Sequence, residues 1–273
     1  FFILMMPKEE SVEGTNAKSV LSADLRNPPF FRHERRSFMT QSAKILCAAI
    51  GATAVAATSL PADAALTVRE ESIVPIAAFT ANGNEAAFKS ALETGLKNGL
   101  TVTEIRSVLE QMYAYTGFPR SLTGLGVFVN LLKEHKAKGV EDVTGREAKP
   151  LPPNTSIREL GTKTQTTLIG KPAASPVYDF SPNIDTYLKE HLFGDIFAND
   201  ILTWRERELA TVAALAALPA PVQLRSHLNV CLNVGLQPDE LKAFAEVVGK
   251  EVGETQGKLA RESVAAVLKA RGK

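Results

Sequence analysis

The chain has 273 residues, with 31 Lys and Arg against 30 Asp and Glu, four histidines and 45% hydrophobic residues. So even a balance of charge gives no field for a polyanion, and no nucleic-acid partner is expected. Two cysteines, Cys47 and Cys231, are too few for a disulfide framework or a Cys-rich zinc site.

The first informative stretch is residues 35–64, RRSFMTQSAKILCAAIGATAVAATSLPADA. Paired arginines precede a run of small apolar residues, which looks like a twin-arginine export signal and is too short and Ala-rich for a stable membrane span. Ala62-Asp63-Ala64 has the A-x-A form of a cleavage site, so Ala65 is the expected mature N-terminus and the periplasm the expected location. Residues 1–34 show no periodicity and are expected to lack fixed structure. Cys47 would leave with the signal. Residues 1–64 hold seven of the basic and six of the acidic residues, so residues 65–273 carry 24 of each, with His135, His191, His227 and the single Cys231. The expected organisation is a leader over 1–64, a first half over 65–140, a linker over 141–155 and a second half over 156–273. No membrane span is expected after cleavage.

Beyond a polar and apolar lead from Leu66 to Ala81, the punctuation is helical. Asn84 caps a helix to about Asn98, ahead of Gly99. Thr101-Val102-Thr103-Glu104 is a capping box for a helix to about Tyr115, and Pro119 suits the first turn of another that runs to about Lys138. Residues 139–155 are charged and contain Pro150, Pro152 and Pro153, as a linker would. Ser156 opens a helix toward Ile169, and Ser181-Pro182 opens one toward Phe193. Thr203-Trp204-Arg205-Glu206 is a second capping box, before an apolar helix through Leu218. Pro219 and Pro221 start the next, which stops at Gly235, and Gln237-Pro238-Asp239-Glu240 opens another. No segment alternates like a strand, so the fold class is all-α with eight or nine helices.

The sequence also repeats at an offset of 136 residues. SALETGLKNGLTVTEI (90–105) aligns with SHLNVCLNVGLQPDEL (226–241), pairing Leu92 with Leu228, Gly99 with Gly235 and Glu104 with Glu240. Chance helix-Gly-helix grammar can generate part of this match, but the differences carry information. His227 falls opposite Ala91 and Cys231 opposite Gly95, polar groups that the helical frame does not demand.

The stretch RERELATVAALAALPAPVQLRSHLNVCLNVGLQPDEL (205–241), taken with YAYTGFPRSLTGL (113–125), resembles the carboxymuconolactone decarboxylase and alkylhydroperoxidase D family. The resemblance spans most of residues 84–250. It implies an alkylhydroperoxidase D-like helical bundle with an internal helix-turn-helix duplication, no organic cofactor, and a homo-oligomer, commonly a trimer or hexamer. Peroxidase members carry E-x11-C-x2-C-x3-H. Laid on this chain from Glu208, that pattern puts Ala220 and Gln223 at the cysteine positions and His227 at the histidine. The implied proton-transfer pair is kept and the thiol pair is absent.

His227 is therefore the candidate general acid or base and Glu208 its carboxylate partner. Gln223, one turn before His227, is a candidate substrate contact, as are Tyr113 and Tyr115. Arg120 is the candidate anion holder, with Arg207 and Arg225 as rivals. Each has a plainer alternative. His227 can be a satisfied core histidine, Glu208 can pair with Arg205 or Arg207 along its helix, and the tyrosines can be core. His135 and His191 stand beside Glu134 and Glu190 without a second ligand in sequence, so no metal is expected. Three functions stay open: decarboxylase-like acid-base chemistry on a small lactone or carboxylic acid, peroxidase activity through Cys231, and a non-catalytic module binding a small acid or a partner.

Overall fold

The computed structural model describes residues 65–273. The export signal, its cleavage site and Cys47 lie outside the described residues. Within them every regular element is helical: α1 (Val68–Asn82), α2 (Glu85–Lys97), α3 (Val102–Ala137), α4 (Ile157–Ile169), α5 (Pro176–Phe180), α6 (Pro182–Thr186), α7 (Trp204–Ala217), α8 (Pro221–Asn233), α9 (Pro238–Val247) and α10 (Glu254–Ala270). Two π-helical stretches extend α6 over Tyr187–Ile196 and α9 over Val248–Val252.

The caps expected at Asn84, Thr101, Ser156 and Thr203 all form, each side chain accepting a backbone N–H of the first turn. Three elements differ from expectation. The segment from Leu66 to Ala81, taken as a lead, is α1, with Thr67 and Glu70 forming a reciprocal capping box. Nearly every side of α1 is buried, Ile73, Val74, Ile76, Ala77 and Ala78 completely, so the helix has no polar face to give it a period. Pro75 in its interior further disguises it. Where two helices were expected between Thr101 and Lys138, α3 runs through, with its break confined to Gly117 at φ 76° and ψ 165°. The segment beyond α9 adds α10, an element that the sequence had not separated.

The repeat extends well beyond its sequence match. An offset of 136 carries the N-caps Thr67, Asn84 and Thr101 of α1, α2 and α3 onto Thr203, Ala220 and Gln237, the N-caps of α7, α8 and α9. It carries Gly117, the break in α3, onto Gly253 between α9 and α10, also at positive φ. Two four-part units thus pack on each other through α1 and α7, and their apolar residues form one core with Leu92, Leu228, Ile105 and Leu241.

Across that joint the charges repeat as well. Arg69 binds Glu104 of its own unit at 2.9 Å and Glu206 of the other at 3.0 Å. Arg205, its repeat equivalent, binds Glu240 of its own unit and Glu70 of the other. Both guanidinium groups also donate to the carbonyl of the glycine just past the second helix of their own unit, Gly99 for Arg69 and Gly235 for Arg205. These pairs are reciprocal by construction: each unit gives the other one arginine and one glutamate.

Residues 139–155 run over the first unit as an extended strap, Val102 and Thr103 donating their free first-turn N–H groups to the carbonyls of Val143 and Thr144 at 2.9 Å. Residues 157–197 have no counterpart in the repeat. There α4 lies on the π-helical turns so closely that a Cβ on Gly161 would collide with the Lys189 carbonyl.

Burial pushes the Glu70 carboxyl upward, but hydrogen bonds from Arg205 and Thr67 outweigh it and hold the group below its ordinary value of 4.5. A depressed folded value adds stability above the unfolded value and loses it as pH falls through the folded one. Glu70→Gln is therefore expected to cost about 1.5–3 kcal/mol at pH 7, the usual worth of hydrogen bonds to a charged group. Urea unfolding followed from pH 7 to 3 should show the variant losing less stability than the parent below pH 4.5. Parallel curves would show that Glu70 does not carry this coupling.

Candidate active site

The second unit brings Glu208 of α7 and His227 of α8 together. His227 Nδ1 lies 2.8 Å from Glu208 Oε2. Glu208 is fully buried, and its Oε1 has no partner among the described residues, while the His227 side chain keeps 20% exposure. An ionised carboxylate only accepts, so it draws the imidazole proton to Nδ1 and leaves Nε2 as the face that meets a reactant. A carboxylate sunk in apolar surroundings is costly without a partner, so the His227 contact is one that Glu208 cannot lose without leaving a buried charge unpaired.

The other wall comes from the first unit. Tyr115 of α3 meets the His227 ring edge-on, centroids 5.8 Å apart at 81°. Its hydroxyl is buried beside Thr211, whose contact only partly offsets burial and the charge of Glu208, and these together push the phenol well above its ordinary range. One turn earlier, Gln111 donates to the Arg207 carbonyl at 2.8 Å and to Thr211 Oγ1 at 3.0 Å, and accepts from Arg207 Nη1 at 3.0 Å. Arg207 is 1% exposed, and its remaining bonds go to Ser107 and the Asn199 carbonyl. No described carboxylate pairs with it directly, its Nε has no partner among the described residues, and burial lowers its pKa to about 10.

Residues 157–197 roof this site. Leu168, Phe193 and Phe197 form a small apolar cluster against which Tyr115, Val230 and Val234 pack. Asn233 donates to the Leu168 carbonyl at 2.9 Å, and the Trp204 indole donates to the Phe197 carbonyl at 2.9 Å.

The remaining sequence candidates lie elsewhere. Gln223 is exposed on α8, a turn before His227. Tyr113 stacks on Phe118 at 4.2 Å and meets His191 at 5.3 Å, on the side of α3 turned from Tyr115. The Arg120 guanidinium lies against Gly83 at the end of α1. Of the six residues, the structure joins Glu208, His227 and Tyr115. Gln111 and Thr211 were missed, as were Phe193 and Phe197. Glutamine and threonine within apolar helices were the available signal, since buried polar side chains need a partner.

Cys231, one turn after His227, is fully buried. Burial, with the charge of Glu208 added, raises its thiol well above the ordinary value. Such a thiol supplies little thiolate, which is the nucleophile that peroxide chemistry requires. Native protein treated with iodoacetamide at pH 7.5 should leave Cys231 unlabelled on peptide mapping, whereas urea-unfolded protein labels fully. Rapid native labelling would refute the burial of this thiol.

Comparison with known proteins gives a consistent result. The model of the family described as "Carboxymuconolactone decarboxylase family" matches residues 48–129 and 182–253, together more than half of the chain. A 4-carboxymuconolactone decarboxylase of Acinetobacter baylyi is 34% identical over 64 residues, 23% of this chain. That match spans about half of the relative's length, 48%. A solved structure from Burkholderia xenovorans, titled as a putative gamma-carboxymuconolactone decarboxylase subunit, is 20% identical with a TM-score of 0.44, over 76% of this chain and 80% of its own.

Proposed function

The chain belongs to the carboxymuconolactone decarboxylase family, and on that premise we propose that it carries out cofactor-independent acid-base chemistry on a small carboxylated lactone or related carboxylic acid. The observation that carries this reading is the 2.8 Å contact between His227 Nδ1 and the fully buried Glu208. In the reaction the bond from the ring carbon to the carboxylate carbon breaks, CO2 leaves, and the electron pair left on the ring takes a proton from His227 Nε2. Glu208 holds the imidazole in orientation and offsets its charge while the proton is on it. Glu208 then keeps the ring ready to be reprotonated from solvent. Arg207, buried and without a carboxylate of its own among the described residues, supplies positive potential for the anionic substrate, and Tyr115 bounds the site. The apolar roof favours loss of charge from the carboxylate as CO2 forms.

The peroxidase alternative has less support, because Ala220 and Gln223 stand where the redox pair would be and Cys231 is buried with a raised thiol. We further read the protein as exported to the periplasm and homo-oligomeric. The signal-like residues 35–64 support the first reading, and exposed Phe118, Leu122 and Val222 the second. A periplasmic location would place its substrate among external lactones or acids.

Release of CO2 from a panel of carboxylated γ-lactones and β-keto acids tests the reading. Turnover is expected for at least one of them, with His227→Ala and Glu208→Gln each lowering kcat by about 10²–10⁴-fold. The double variant should be little worse than the worse single, as for residues that act as a unit. Turnover unaffected by either change would overturn the assignment, and no turnover across the panel would favour a binding role.

A further inference from the structure

The first unit contains an open counterpart of the His227 site. A cleft of about 840 Å³ lies between α1, α2, α9 and the π-helical turns after α9, a size suited to a small organic ligand. Its residues are the repeat equivalents of the His227 surroundings: Ser72 stands for Glu208, Ala91 for His227, Pro75 for Thr211 and Val247 for Gln111. Thr94 and Asn98 stand for Val230 and Val234, the residues that the roof covers in the second unit. Only the second unit has residues 157–197 lying over this position.

Divergence at these positions has removed the proton-transfer pair and inverted the charge. Glu71 takes the place of Arg207, so a carboxylate occupies the wall where the other site has a buried cation. The other charges of the cleft are matched: Lys250 binds Glu251 at 3.0 Å, and Arg261 lies 3.6 Å from Glu246. Half-buried Glu71 makes no ion pair within 4 Å among the described residues; the exposed Lys250 ammonium, held by Glu251, acts on it only through its charge, and with Glu246 and Glu251 the cleft keeps an excess of carboxylates over an apolar floor of Pro75, Phe79, Ala91 and Val247. Ser72 is already satisfied, donating to the Val68 carbonyl and accepting from Asn98.

We propose that this cleft is a second binding site, for a small organic cation with an apolar body such as a primary ammonium on an aromatic or alicyclic ring. The ring lies on the Phe79 and Ala91 floor, and the ammonium pairs with Glu71. The site is distinct from the His227 centre and does not depend on the reaction assigned to that centre.

Calorimetric titration of the whole protein with benzylammonium at pH 7, with benzoate and benzyl alcohol as comparators, tests it. One saturable site for benzylammonium is expected, weakened tenfold or more by Glu71→Gln, abolished by Ala91→Phe, and retained in His227→Ala. Benzoate should not compete. The proposal is overturned if benzylammonium shows no saturable binding, if Glu71→Gln leaves Kd within twofold, if benzoate competes equally, or if His227→Ala removes the binding. Should Ala91→Phe fail to fold, Glu71→Gln decides the matter, because its side chain lines the cleft without belonging to the core.

Discussion

The reciprocal exchange of Arg69 with Glu206 and Arg205 with Glu70 is the constraint on which the rest of the molecule depends. Each arginine also grips the glutamate that opens the next helix pair of its own unit, Glu104 or Glu240, so the crossing fixes four helix starts at once. An apolar joint between α1 and α7 alone could slide, since dispersion has little direction. Two guanidinium groups, each held by its own unit's glutamate through two N–H groups and reaching the other unit's glutamate with one more bond, set the register. That register places α3 of the first unit against α7 of the second, bringing Gln111 and Tyr115 to Arg207, Thr211 and His227. The candidate site is thus assembled from both units, although its reacting groups come from one.

The duplication has produced two frames with different contents. In one, a buried carboxylate and an imidazole face a tyrosine under an apolar roof. In the other, the same positions hold Ser72, Ala91 and Glu251, and the space stands open. The breaks at Gly117 and Gly253 fall at the same repeat position, both at positive φ although at 76° and 147°, while the side chains that face the two clefts diverge. Stability therefore rests on the shared frame, and function is free to differ between its two copies.

Much of the frame was legible because caps and glycine stops are local chemistry. Asn84, Thr101, Ser156 and Thr203 announce their helices within four residues. The central helix α1 escaped for the opposite reason: buried on nearly all sides, it has no amphipathic period, and only its Thr67 and Glu70 box marks it. The site was half legible. His227 and Glu208 lie 19 residues apart and share a recognisable spacing. Gln111 meets Arg207 across 96 residues, and the roof residues Phe193 and Phe197 meet Tyr115 only through the tertiary fold, so no local pattern records them. Arg120 looked suited to an anion by charge alone, and charge does not reveal that its guanidinium rests on Gly83.

The chemistry attributed to the site turns on which imidazole nitrogen carries the proton. If Glu208 is ionised and accepts from Nδ1, then Nε2 is the atom that exchanges protons with a substrate. A long-range proton–nitrogen correlation spectrum of protein labelled with 15N-histidine reads this directly for His227. While His227 is neutral, Nδ1 is expected to carry the proton and Nε2 to be bare, with this preference lost in Glu208→Gln. A His227 signal with its proton on Nε2 in the parent protein would contradict it.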